Sequence, residues 1–118
     1  MNYKQREIVF LPFPFSDLST TKKRPVLVLS NNFYNEQFED ILVCVVSSNQ
    51  FADSYSVELR NEDLIEGRLP NNAVIIIRKL FTIHQSAVIR KFSTIGKEKF
   101  QEVTEQIIKL LKEENPLE

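Results

Sequence analysis

The sequence predicts a single α+β domain, mainly β, in which several short strands precede one C-terminal amphipathic helix. Three observations predict it. Short apolar runs rich in Val and Ile recur at residues 8–11, 26–29, 41–46 and 73–77, each bounded by polar or turn-forming residues. Near the end the period changes: Phe100, Val103, Ile107, Ile108, Leu110 and Leu111 recur at steps of one helical face. The 118 residues contain no internal repeat, linker or low-complexity tract, so residues 1–118 form one domain.

Taken in order, residues 8–11 form a strand, and Pro12 and Pro14 end its pairing or confine it to a sheet edge. Residues 16–23 form a polar loop with turn chemistry from Asp17, Ser19, Thr20 and Thr21. Residues 26–29 form a second strand, with Pro25 at its start. Residues 31–39 suit a loop or a short helix. The continuous run 41–46 predicts a central strand buried on both faces. Residues 54–60 alternate apolar and polar, the pattern of a half-buried strand. Residues 61–66 predict a helical turn capped by Asn61 and stopped at Gly67. Residues 73–77 are a strand that 80–83 continues past a bend, and 87–92 form another. Residues 97–112 form the helix, with Gly96 before it and Asn115 and Pro116 after it.

Composition narrows the function. Hydrophobic residues make up 42% and charged residues 26%, as in ordinary globular proteins. A domain of this length buries a core without staples. Cys44 is the one cysteine, which excludes an intrachain disulfide and suits a reducing compartment. The polar start, residues 1–7, does not resemble a signal peptide, and no stretch approaches a membrane span. The expected address is the cytoplasm, with no membrane partner. The net charge of -1 means that nucleic-acid binding needs a local basic patch. Lys22, Lys23 and Arg24 are consecutive, Arg78–Lys79 and Arg90–Lys91 follow, and acidic residues gather at the C-terminus. A solvated surface remains the plain reading of any one such pair.

One histidine and one cysteine exclude the usual zinc constellations. With only Gly67 and Gly96 there is no glycine-rich phosphate loop, and no serine sits in a nucleophile elbow. Chemistry is left to Arg, Lys, Ser and Asp. Pro25 restricts Arg24 to extended backbone, so its guanidinium sits at a loop–strand junction. There it has two uses: to fork onto a phosphate, or to brace the fold by pairing with Asp17 or Glu7. His84 suits acid–base work by type, but a structural histidine near a turn is the preferred reading. Asp17 is a weaker candidate base, an Asx turn being its plainer role. Phe13, Phe15, Tyr34 and Phe51 offer stacking surfaces, although most phenylalanines belong in the core. Cys44, inside an apolar run, is expected to be buried and inert.

Three pieces of the chain, in order, resemble the PemK/MazF toxin family. The first is Ile8-Val9-Phe10-Leu11 ending in Phe13-Pro14-Phe15-Ser16-Asp17-Leu18, then Lys23-Arg24-Pro25 before Val-Leu-Val-Leu-Ser. The second is Ile41-Leu42-Val43-Cys44-Val45-Val46-Ser47-Ser48, and the third Leu80-Phe81-Thr82-Ile83. The resemblance implies an SH3-like (CcdB/PemK-type) β-barrel with a C-terminal helix, acting as a homodimer. It implies the toxin component of a type II toxin–antitoxin system that cleaves single-stranded RNA without a metal or other cofactor. It further implies a cognate antitoxin whose C-terminal segment occupies the RNA site, and contact with DNA only through that antitoxin. Residue matching places Arg24 on the family's catalytic arginine. Ser47 falls on its catalytic threonine or serine, with Ser48 a one-residue alternative. Lacking an assigned base, Ser47 is expected to hold the phosphate or orient the 2′-hydroxyl rather than attack covalently. Candidate RNA contacts are Phe15, Asp17, Lys22, Lys23, Ser48, Arg78 and Lys79. Two departures stand out. Arg6-Glu7 replaces the family's usual Gly-Asp, and Arg78-Lys79 puts positive charge where an acidic residue or an arginine is common. The competing expectations are a barrel that binds protein, as CcdB-like topoisomerase inhibitors do, and a dimer that binds RNA without cutting it.

Overall fold

The computed structural model describes residues 2–14, 21–48 and 52–112. Its frame is one curled antiparallel sheet of six strands: β1 (Glu7–Pro14), β2 (Thr21–Val28), β3 (Asp40–Ser47), β4 (Ser56–Leu59), β5 (Ala73–His84) and β6 (Arg90–Thr94). Among the described residues two α-helices complete it, α1 (Asn32–Gln37) and α2 (Lys97–Leu111). The strand order is β4-β5-β3-β2-β1-β6, so the apolar run 41–46 lies centrally, as expected.

The prolines show how the sheet tolerates missing donors. β1 does not stop at Pro12 but pairs with β2 as far as Pro14↔Thr21. The carbonyl of Phe10 accepts from Ile89 N–H, so the backbone groups of Phe10 point toward β6. By alternation Pro12 and Pro14 point the same way, beyond the last β1–β6 pair at Phe10↔Arg90. Their absent N–H groups therefore face an edge, and no ladder bond is lost. Pro25, expected at a strand start, instead lies inside β2 opposite Phe10. The same parity applies. Leu29 N–H bonds Leu42 O on the β3 side, so Pro25 faces β3 just past the last pair, Val26↔Val45.

Other boundaries moved for local reasons. The ambiguous 31–39 stretch is helical at α1 because the Asn31 side chain accepts from Tyr34 N–H at 2.8 Å. Asn61 is no cap. Its side chain clamps the Leu69 backbone at 2.6 and 3.2 Å, and Arg60 holds the cap position of a 3-10 turn at Asn61–Asp63. Gly67 does take positive φ (+73°), and a Cβ there would meet Phe92 O at 3.3 Å. The strand expected from residue 87 begins at Arg90, because His84 caps a 3-10 turn at Gln85–Ala87. Residues 73–77 and 80–83 join in β5, with the register shifting between Cys44↔Leu80 and Val45↔Ile76. Residues 77–79 bulge there, and Ile77 N–H turns to Tyr55 O at 3.0 Å.

The sheet is apolar on both faces. Ile8, Leu27, Cys44, Val46, Ile75 and Ile77 form one layer, covered by Val103, Phe100, Ile107 and Leu110 of α2. Val9, Leu11, Val26, Val28, Ile41 and Val43 form the other. Ile108 and Leu111, counted by their spacing on the apolar stripe, are exposed (49% and 75%), because the covering face of α2 is narrower than its apolar stripe.

Burial pushes the Cys44 thiol up to about 12 from 9.0. A group raised on folding contributes stability that is intact below its unfolded value and lost as pH climbs toward the folded one. Unfolding titrations are therefore expected to show stability falling above pH 9, by about 1.4 kcal/mol per unit from this group. A thiol reagent such as DTNB should label Cys44 only upon unfolding; labelling of the folded protein at neutral pH would contradict this burial.

Candidate functional site

The second apolar face opens into a cleft of about 510 Å³. Among the described residues its walls are Leu11, Pro12, Val26, Val45, Phe81, Ile83 and Ala87, and its polar groups are Arg24, Ser47 and Lys79. The strands explain this gathering. Arg24 pairs with Leu11 across β1–β2, and Ser47 ends β3 opposite Val74. Continuing the register Val26↔Val45 outward by two residues brings Arg24 level with Ser47. Side chains two apart share a face, so both project into the same cleft where the β2–β3 ladder has just ended. Arg24 and Ser47 are both half-buried. Pro25, fixed in mid-strand, keeps the Arg24 backbone extended.

Lys79 arrives by way of the β5 bulge. Beyond it Phe81 opposes Val43 and Ile83 opposes Ile41, so Lys79, Phe81 and Ile83 follow one another along the cleft face. Its neighbour Arg78 points elsewhere: its Nε donates to Asp53 at 3.1 Å, and the two form an exposed ion pair. The Tyr55 N–H and then Arg78 hold the Asp53 carboxyl below its ordinary value. The pair Arg78–Lys79, adjacent in sequence, is thus divided between two surroundings. The described lining residues carry two cationic side chains, Arg24 and Lys79, and no carboxylate.

The remaining candidates fall in different places. Lys23 is exposed in β2 opposite Pro12, one residue from Arg24 and outside the cleft lining. Ser48 is exposed beside Ser47 and also outside the lining. Phe15, Asp17 and Phe51 lie outside the described residues, as do the side chains of Phe13 and Lys22. Glu7, one suggested partner of Arg24, is engaged elsewhere, accepting from Lys4 N–H at 2.7 Å and facing Lys91 Nζ at 3.5 Å. Lys91 also bridges Glu66 at 2.5 Å, a bond that raises the lysine's pKa and lowers that of Glu66. Arg90 stands 4.8 Å over the Phe10 ring. The Arg90–Lys91 charges are thereby used within the fold.

His84 belongs to a separate cavity of about 560 Å³, beside Glu36, Glu39 and Ser86. Its Nε2 pairs with Glu39, and its Nδ1 lies 2.7 Å from Ser86 Oγ. Tyr34, stacked on Phe38 with centroids 4.6 Å apart, is on α1 and away from the cleft lining. Arg6 sits in the left-handed region (φ 77°), which explains why glycine suits that position. Its strained backbone is tied by Arg6 N–H to Val28 O at 3.0 Å and by its guanidinium to Ile95 O at 2.9 Å. Arg6 lines a third cavity, at the start of α2, rather than the Arg24–Ser47 cleft. Among the described residues, no group of three or more His, Cys, Asp or Glu side chains is arranged to hold a metal ion, and no helix is long and apolar enough to cross a membrane.

Sequence reasoning missed Phe81, Leu11 and Pro12 as cleft walls. The alternation Lys79, Phe81, Ile83 was the available signal, since it puts these residues on one strand face.

Residues 4–111 match the model of a family described as PemK-like, MazF-like toxin of type II toxin–antitoxin systems. No curated protein matches the chain. Among solved structures, a MazE–MazF complex from Deinococcus radiodurans aligns with TM-score 0.75 at 20% identity, covering 94% of this chain and 97% of that one. A mycobacterial endoribonuclease in complex with its cognate antitoxin aligns with TM-score 0.74 at 13% identity, covering 97% and 99%. The Mycobacterium tuberculosis toxin MazF-mt6 aligns with TM-score 0.70 at 18% identity, covering 86% and 92%. These likenesses establish the fold.

Proposed function

From its membership of the PemK-like, MazF-like toxin family, to which this chain belongs, we propose that it is a metal-independent endoribonuclease that cleaves single-stranded RNA. The observation that carries this reading is the meeting of Arg24 and Ser47, with Lys79, in one cleft. Cleavage without a metal uses the RNA's own 2′-hydroxyl. Its oxygen bonds to phosphorus as it loses its proton, the bond to the 5′-oxygen breaks, and that oxygen takes up a proton. Charge builds on the phosphate oxygens along the way. The Arg24 guanidinium matches two of those oxygens and stabilises the developing charge. With a pKa above about 12 it serves as a charge and a hydrogen-bond donor rather than a free base. The Ser47 hydroxyl holds the phosphate or orients the 2′-hydroxyl. Two solved relatives in the fold comparison are bound to antitoxins, which supports a cognate antitoxin as partner. The same reading makes the active species a cytoplasmic homodimer that meets DNA only through the antitoxin.

The test is incubation of the purified chain with a long, mixed-sequence single-stranded RNA in excess EDTA. Discrete fragments bearing 2′,3′-cyclic phosphate and 5′-hydroxyl ends are expected. RNA left intact across many sequence contexts would contradict the proposal and favour the protein-binding or RNA-binding alternatives.

A further inference from the structure

We propose that Lys79 is a specificity-determining residue that selects a guanine or uracil base beside the reacting phosphate. This rests on the endoribonuclease reading and adds what the cleft prefers within RNA. A volume of about 510 Å³ falls in the range of small-molecule sites and holds more than a phosphate. Phe81, 38% exposed, supplies a flat aromatic wall on which a base can stack. Stacking tolerates any base, so choice among bases falls to polar groups. Among the described lining residues the polar side chains are Arg24, Ser47 and Lys79. With the first two on the phosphate, Lys79 is the described polar group that can meet the base.

An ammonium donates and cannot accept. Guanine presents two neighbouring acceptors, O6 and N7, and uracil presents O4. Adenine and cytosine set an amino group beside their acceptors, and that amino group faces the ammonium donor to donor. Lys79 lies in the β5 bulge, is half-buried and lines the cleft beside Phe81. Among the described residues no salt bridge is formed by Lys79, whereas Arg78 is held by Asp53. A single good pairing between side chain and base edge corresponds to roughly tenfold discrimination.

The experiment maps cut sites on a mixed RNA pool by 5′-end sequencing for the wild-type chain, Lys79→Met and Lys79→Gln. The wild type is expected to favour guanine or uracil about tenfold over adenine or cytosine at one nucleotide flanking the cut. Lys79→Met should flatten that position. Lys79→Gln, which both donates and accepts, should shift it toward adenine. A role confined to general attraction would instead scale all sites together, leaving the profile unchanged. An unchanged profile, or a wild-type preference for adenine or cytosine on both sides of the cut, would overturn the proposal while leaving the nuclease reading intact. A second arm measures competitive binding of single-stranded 2′-fluoro oligonucleotides, which lack the attacking hydroxyl. If RNA is never cut but these ligands show the same preference, lost in Lys79→Met, the selectivity stands and the nuclease reading fails. Absence of both cutting and selective binding overturns both.

Discussion

Arg24→Ala is expected to lower the cleavage rate by about a hundred- to a thousandfold, the usual cost of removing one preorganised donor from a developing oxyanion. Among the described lining residues, Arg24 is the one that can place two parallel N–H groups on a phosphate. A lysine there keeps the charge but not the fork, so Arg24→Lys should fall between wild type and alanine. RNA binding should weaken far less than cleavage, because Lys79 still contributes charge to the cleft. The fold should survive. Arg24 lies beyond the last β2–β3 pair, at the rim rather than in either apolar layer. Single-turnover rates under saturating protein, with thermal midpoints as control, decide the matter. An alanine variant within a few-fold of wild type would remove Arg24 from the chemistry.

The second large effect concerns stability. Ile75→Ala should destabilise the chain by about 2–5 kcal/mol, the range for truncating a fully buried aliphatic side chain. Ile75 has no solvent exposure, and its strand position pairs with Val46 on one side and Val57 on the other. Its side chain lies in the layer beneath α2, where strands on both sides limit collapse around a cavity. In a chain of this size the loss corresponds to a fall in Tm of roughly 10–20 °C. Glu58→Ala on the neighbouring strand is the control. Its ion pair with Arg60 is exposed, so truncation should shift stability by less than about 1 kcal/mol. Equal unfolding midpoints for the two variants would contradict the layered core.

Much of this architecture was legible in the residues. A continuous apolar run located the central strand, and a period of 3.6 residues located the last helix to within a residue. What escaped were features set by pairing rather than by local preference. Pro12, Pro14 and Pro25 look like strand breakers in sequence, and only the positions where neighbouring ladders end show why they are tolerated. Asn61 has the chemistry of a cap, but Leu69 comes within its reach and takes the side chain. The β5 bulge follows from how β3 pairs, and it parts Arg78 from Lys79. The site was half legible. Arg24 and Ser47 were matched by motif, and their shared cleft follows from register. The apolar walls went unnoticed because Leu11, Phe81 and Ile83 look like ordinary core residues when read singly.

The central claim is that Arg24 and Ser47 act on one phosphate. A double-mutant cycle on cleavage rate, comparing wild type, Arg24→Ala, Ser47→Ala and the double variant, measures it most directly. Two groups clamping the same reacting centre lose their effect together, so the double variant should be little slower than Arg24→Ala alone. Independent losses that multiply would show the two residues working on separate parts of the RNA, contrary to this account.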